Sequence, residues 1–152
     1  MTPDEMATIH VLAFVDERPW NVAEFDDLLG QDGVFSLSEG PSFAVCRQVL
    51  DETELLTLAT HPAHRRQGLA ASLCAAWLDK AQSQGATRAF LEVASDNLAA
   101  RALYEALGFE EAGRRKAYYM RNSRPAADAL TMILDLTKRQ LPDSRTSGQE
   151  IG

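Results

Sequence analysis

Residues 55–109 read LLTLATHPAHRRQGLAASLCAAWLDKAQSQGATRAFLEVASDNLAARALYEALGF, and this stretch decides the fold. It carries a strand, a glycine turn, a helix, a second strand and a second helix. Leu55 to Thr60 is a short apolar run of strand formers, stopped at His61-Pro62 because proline pushes its neighbour into extended geometry. Leu69, Leu73 and Trp77, with Cys74, Leu78 and Ala81, recur at spacings of three and four, which gives a helix one apolar face. Gly85 is placed to end that helix. Ala89 to Ala94 reads as a second buried strand, and Asn97 opens a second helix that stops at Gly108.

The turn between the first strand and its helix carries the chemistry. Glycine there lets a ligand approach the backbone closely, and the N–H groups of the first helical turn have no partner within the helix. Together with the helix dipole they form a site for an anion such as a pyrophosphate. Arg65 and Arg66 add positive charge beside it. Taken alone, the turn is equally compatible with a plain loop end and two solvated arginines. The wider stretch separates these readings. Arg65-x-x-Gly68-x-Ala70, after a strand and before a helix, resembles the acetyl-CoA signature of the GNAT N-acetyltransferase superfamily. Asn97 to Phe109, ending in ALYEALGF, resembles that superfamily's following helix.

The rest of the chain is consistent with one domain. With 152 residues, 45% of them hydrophobic, it can bury a proper core but not two comfortable ones. No apolar run reaches membrane length and no signal-peptide pattern opens the chain, so a cytoplasmic protein without a membrane partner is expected. Cys46 and Cys74 sit in apolar surroundings without a CxxC or His/Cys cluster, and read as buried free thiols; no metal is expected. The net charge of -7 is unevenly spread. Residues 1–60 hold 12 acidic and 2 basic side chains, and residues 61–152 hold 10 and 13. That split disfavours nucleic acid as a partner and suits an anionic cofactor on the C-terminal half with a cationic substrate reaching the N-terminal half. Ordinary solvated helices account for most of those carboxylates equally well.

Thr2-Pro3-Asp4-Glu5 is a helix start, with Thr at the N-cap and Pro at the first helical position. Met6, Ile9, His10, Ala13 and Phe14 continue the stripe, so His10 reads as a partly buried helix residue rather than a catalyst. Asn21 caps a second helix from Val22 to Leu29, closed by Gly30. Strands follow near Val34 to Ser38 and Ser42 to Leu50, joined at Glu39-Gly40-Pro41. After Phe109 come a strand near Glu110 to Arg114, a polar loop from Arg121 to Asp128, and a final strand from Ala129 to Leu136. Residues 137–152 are polar and are expected to form a disordered tail after a single domain over 1–136.

This order resembles GNAT topology over residues 2–136, an α/β (α+β) fold with a mixed, mostly antiparallel twisted sheet flanked by helices. Within the superfamily the chain looks most like the RimI-type enzymes, which acetylate the N-terminal alanine of a ribosomal protein. Pro19-Trp20-Asn21, Leu91-Glu92-Val93 and Arg114-Arg115-Lys116-Ala117-Tyr118-Tyr119 carry that closer likeness. One departure is clear: the strand that usually precedes the first helix is short or absent.

The resemblance implies a site. Glu92 becomes the general base; the alternative is a glutamate exposed at a strand edge or paired with an arginine. Tyr104 becomes the general acid for the departing thiolate, and a core tyrosine is its alternative. Asn97 hydrogen-bonds the cofactor. The backbone of Leu58, Ala59 and Thr60 holds the acetyl group and pantetheine arm. Arg66, Gln67, Gly68, Leu69, Ala70 and Ala71 cradle the pyrophosphate, with Arg65 at its edge and Arg101 on its rim or on the surface. Tyr118 and Tyr119 are peptide-site aromatics, or hairpin packing. The expected activity is transfer of acetyl from acetyl-CoA to a primary amine by direct attack in a ternary complex, by a monomer or weak dimer. A protein N-terminus is the preferred acceptor; a lysine side chain, a small-molecule amine, or a CoA-binding module without turnover are the alternatives.

Overall fold

The computed structural model describes residues 1–121 and 124–141; most of the expected tail, 142–152, lies outside them. The elements run α1 (Pro3–Ala13), α2 (Val22–Leu29), β1 (Val34–Glu39), β2 (Ser42–Val49), β3 (Glu52–Thr60), α3 (Leu69–Ser83), β4 (Arg88–Ala94), α4 (Leu98–Ala106), β5 (Glu110–Tyr119) and β6 (Ala127–Asp135). Local sequence sets most of these boundaries. Thr2 Oγ1 accepts the Glu5 N–H at 3.2 Å to start α1. Asn21 and Glu24 cap α2 reciprocally, each side chain accepting the other's backbone N–H. As expected, no strand precedes α1 among the described residues.

Three boundaries differ from the sequence expectation. β3 starts at Glu52, because Leu50 takes a left-handed conformation (φ 56°) and tightens the preceding turn. β5 runs on to Tyr119, with register shifts against β6 after Glu111 and after Arg115, and β6 begins at Ala127. The chain also stays docked past residue 136. Gln82 Nε2 donates to the carbonyls of Leu136 and Arg139, and Arg139 pairs with Asp79 at 2.8 Å, so the polar stretch after Leu136 begins as a turn packed on α3.

One six-stranded sheet, ordered β1-β2-β3-β4-β6-β5, organises the molecule. Among the described residues only β3 and β4 pair in parallel, and the other four pairings are antiparallel. One face packs against α3 and α4 through Trp77, Leu78, Cys74 and Tyr104. The other packs against α1 and α2 through Met6, Ile9 and Phe25. Trp77 is fully buried, and its indole N–H is satisfied by donating to Thr53 Oγ1 at 2.8 Å. Cys46 and Cys74 are buried free thiols in this core. Burial pushes the Cys74 thiol up to about 12 and the Cys46 thiol higher still, which leaves both unreactive.

The feature that positions the site is an irregularity in β3. Val45 pairs with Thr57 and its neighbour Cys46 pairs with Leu55, so Leu56 is an extra residue, a β-bulge. The bulge switches faces: Leu55 packs on the α3 side, whereas Leu56 and Thr57 turn toward α1. At the same point the parallel pairing with β4 stops, its last pair being Leu55 with Leu91. β3 follows β2 as far as Thr60, and β4 follows β6 as far as Ala94. The two central strands therefore part, and a cleft opens between Leu56–Thr60 and Glu92–Ala94.

His10 braces α1 against that bulge. It is 3% exposed, and its ring accepts the Trp20 backbone N–H at Nδ1 (3.0 Å) and meets Thr57 Oγ1 at Nε2 (3.1 Å). Burial is the main reason its pKa falls from 6.5 to about 4. The unfolded chain therefore takes up the proton first as pH drops. The stability from the neutral ring is complete above about 6.5 and is lost toward pH 4, by about 3 kcal/mol. Urea unfolding of the native protein and His10→Gln should show a stability gap that narrows from pH 7 to pH 4.5. A gap that stays constant would contradict this assignment.

Candidate active site

The cleft encloses about 820 Å³. Its walls come from the parted strands, the turn before α3, the inward face of α4, the segment linking α1 to α2, and Tyr119 of β5. Of the residues anticipated from sequence, Leu58, Ala59, Thr60, Arg65, Arg66, Gly68, Leu69, Ala70, Ala71, Glu92, Asn97, Tyr104 and Tyr119 line this cleft. Gln67 and Tyr118 are not among the lining residues. Tyr118 lies on the surface, where the Arg115 guanidinium stands 4.1 Å from the ring centroid. Arg101 turns inward instead, donating to the Ser95 carbonyl at 2.9 Å.

The turn before α3 has the geometry of an anion cradle. Gly68 is the N-cap at φ 76°, where an added Cβ would meet nothing within 4 Å; the space beside it is open. Arg66 is also left-handed, at φ 66°. Having no side chain, Gly68 cannot cap the helix, and the first helical bond is from the Ser72 N–H to its carbonyl (3.0 Å). The N–H groups of Leu69, Ala70 and Ala71 thus project from the positive end of a 15-residue helix. These residues fit a pyrophosphate. Arg65 is partly committed elsewhere, since its Nη2 donates to the Ala13 carbonyl at 3.2 Å.

Glu92 and Tyr104 reach the cleft from opposite sides of the opening. Glu92 sits on β4 beyond the last β3–β4 pair, with its side chain 29% exposed. It is ion-paired with Arg115 of β5, the arrangement that the sequence left open as an alternative. Arg115 is half-exposed, so the partner is a surface arginine rather than a buried anchor. Tyr104 is 7% exposed, packed edge-on against Phe109, and burial pushes its hydroxyl well above the phenol range. It is a protonated donor at any physiological pH. Asn97 caps α4 by accepting the Ala100 N–H at 3.2 Å, which leaves its amide N–H groups for other partners.

A second group of polar residues has no counterpart in the sequence reading. Glu17, in the α1–α2 segment, lines the cleft, and burial raises its carboxyl pKa while Arg121 opposes that rise. The Arg121 side chain is only 2% exposed; it holds Glu17 at 3.1 Å and Asp96 at 2.9 Å. Arg124, half-exposed, holds Asp16 at 3.1 Å and Asp96 at 3.5 Å. Two arginines after β5 thus tie the α1–α2 segment to the turn between β4 and α4. Tyr119 lines the cleft with both carboxylates; burial first, then Glu92 and Glu17, push its hydroxyl up to about 12. The sequence placed Arg121 in a polar loop and gave no sign of its burial. Among the described residues no cluster of His, Cys, Asp and Glu has the arrangement of a metal site.

Comparison with known proteins gives the family and the fold. Residues 12–109 match the family model described as the acetyltransferase (GNAT) family. The [ribosomal protein bS18]-alanine N-acetyltransferase of Escherichia coli is 34% identical over 140 residues, covering 90% of this chain and 94% of that protein. The N-alpha-acetyltransferase RimI of Mycobacterium tuberculosis is 32% identical over 146 residues, covering 85% and 84%. Among solved structures, the ribosomal-protein-S18-alanine N-acetyltransferase from Escherichia coli superposes with a TM-score of 0.80 at 30% identity, covering 93% of this chain and 90% of that one.

The two arginines after β5 should be separable by stability. Arg121→Ala strips two partly buried carboxylates of a buried cation and is expected to cost about 2–3 kcal/mol. Arg124→Ala removes two pairs of a half-exposed arginine and is expected to cost under about 1 kcal/mol. Denaturant unfolding of both variants decides; equal losses would contradict the assignment.

Proposed function

The chain belongs to the GNAT acetyltransferase family, and we propose that it acetylates the N-terminal α-amine of a protein, a ribosomal protein beginning with alanine, by direct attack in a ternary complex. As a family member it is an acetyl-CoA-dependent N-acetyltransferase. The observation that carries the finer reading is the likeness, over nine-tenths of the chain, to an enzyme named for that acceptor. The cleft supports it, because a carboxylate and a buried phenol flank the parted strands.

Acetyl-CoA, when bound, supplies the thioester that the amine attacks. The chain's residues then have separate tasks. The N–H groups of Leu69 to Ala71, with the Arg66–Gly68 turn, hold the pyrophosphate, and Arg65 adds charge at its edge. The backbone of Leu58, Ala59 and Thr60, unpaired on its β4 side, holds the pantetheine arm and the thioester carbonyl in strand fashion. Asn97 offers its amide N–H to the same arm. Glu92 receives the ammonium proton as the nitrogen becomes nucleophilic, after Arg115 swings off it. Tyr104, kept protonated by burial, gives its proton to sulfur as the carbon–sulfur bond breaks. Neither cysteine takes part, since both are buried with thiols pushed up. Tyr119 forms the wall on the acceptor's side, and Tyr118 is left to the surface.

Thiol release with a panel of acceptors tests this reading: peptides with free and with blocked N-termini, a lysine peptide, and simple polyamines. Turnover confined to free α-amines is the expected result; turnover only on lysine or polyamines would replace the acceptor while keeping the family. Glu92→Gln and Tyr104→Phe are each expected to lower kcat by about 10²–10⁴-fold with acetyl-CoA affinity unchanged. Full activity in both variants would remove these two roles and leave only the binding scaffold.

A further inference from the structure

Among the buried polar groups that this chemistry does not use, the pair His10–Thr57 reaches the cleft. A backbone N–H can only donate, so the Trp20 N–H, 3.0 Å from Nδ1, fixes that nitrogen as the acceptor. The neutral ring therefore carries its proton on Nε2 and donates it to Thr57 Oγ1 at 3.1 Å. Its stack on Phe14 and Trp20, whose centroids lie 4.3 and 5.3 Å away, fixes the ring plane, and a flip within that plane would put carbon in place of both nitrogens and lose both bonds. The Thr57 hydroxyl consequently accepts from His10 and keeps its own proton to give. Among the described residues no acceptor takes that proton. Thr57 is 8% exposed, lines the cleft, and stands one residue past the bulge where β3 leaves β4. Its side chain faces α1, the side that also presents Phe14, Glu17 and Trp20 to the cleft.

We propose that Thr57 is an acceptor-binding residue, whose hydroxyl donates to the carbonyl oxygen of the acceptor's first residue and so fixes the attacking amine, with His10 as the positioning residue that aims it. This inference rests on the α-amine reading above and gives it a physical basis. An α-amine at the start of a protein has a carbonyl oxygen three bonds from its nitrogen. A lysine side chain or a polyamine has none, and would leave the proton of the buried Thr57 hydroxyl without an acceptor from the substrate. A donor set at this position therefore selects α-amines over other primary amines, because leaving a buried donor unmatched is costly.

The test compares an ordinary peptide bearing a free N-terminal alanine with the same peptide carrying a trans-alkene in place of its first amide, which removes the carbonyl oxygen and keeps the shape. Wild-type protein is expected to favour the ordinary peptide by about tenfold or more in kcat/KM. Thr57→Val is expected to lose that factor on the ordinary peptide and to lose nothing on the alkene peptide, with acetyl-CoA affinity by calorimetry unchanged. Thr57→Ser should behave as wild type. His10→Phe keeps the ring stack but removes both hydrogen bonds, and its loss should likewise be confined to the ordinary peptide. Equal losses on the two peptides, or lost acetyl-CoA binding in Thr57→Val, would make the pair a structural brace and overturn the proposal. Equal turnover of both peptides by wild-type protein would overturn it without any variant. Wild-type protein inactive on the ordinary peptide but active on lysine or polyamines would instead sink the α-amine reading, and this inference with it.

Discussion

The extra residue at Leu56 is the constraint from which the rest of the site follows. A parallel pair in the middle of a sheet would ordinarily run its full length, because each unpaired backbone group costs free energy when buried. Here the pair ends at Leu55–Leu91, and the bulge redirects β3 so that its next residues face α1 instead of α3. The edge so exposed cannot be left dry; it needs water or a ligand that hydrogen-bonds like a strand. An extended amide-containing arm meets that demand, and the pantetheine portion of CoA is such an arm. The same parting places Glu92 beyond the last β3–β4 pair and brings it to the opening, although the other residues from Ala89 to Ala94 are apolar.

Two kinds of interaction surround the opening, and they differ in rigidity. The turn before α3 is backbone-made: left-handed Arg66 and Gly68 and the uncapped start of a long helix. Such a cradle depends on φ values and helix position, so most side chains around it are replaceable. The walls on the other side are made by side chains. His10 with Thr57 pins α1 to the bulge, and Arg121 ties Glu17 to Asp96. Buried and half-buried polar groups of this sort hold a surface in one arrangement because every alternative leaves a donor or a charge unmatched. The cradle is thus made by backbone geometry, whereas the opposite wall is made by side chains that meet from distant parts of the sequence.

That division explains what the sequence disclosed. The caps at Thr2 and Asn21, the glycine turn and the start of α4 at Asn97 depend on neighbours within four residues, and each is where local rules put it. The apolar stripe Leu73, Cys74, Trp77, Leu78, Ala81 announced the buried face of α3. The bulge was illegible because it consists of a register between β2 and β3, not of a residue type. The Glu92–Arg115 pair spans 23 positions, Asp96–Arg121 spans 25, and His10–Thr57 spans 47. No local pattern encodes such partners. His10 was visible on the apolar stripe of α1 as a helix residue, and burial bears that out, but its two hydrogen bonds depend on segments far away in sequence. Arg121 resembled any other arginine in a polar loop, and only tertiary packing distinguishes it from its exposed neighbour Arg124.

The measurement that bears most directly on this account is a crystal structure of the protein with CoA. The pantetheine arm should lie between Leu56–Thr60 and Glu92–Ala94, hydrogen-bonded to the β3 backbone, with the pyrophosphate on the N–H groups of Leu69 to Ala71. CoA bound elsewhere, or β3 and β4 paired beyond Leu55–Leu91 with no room between them, would contradict it.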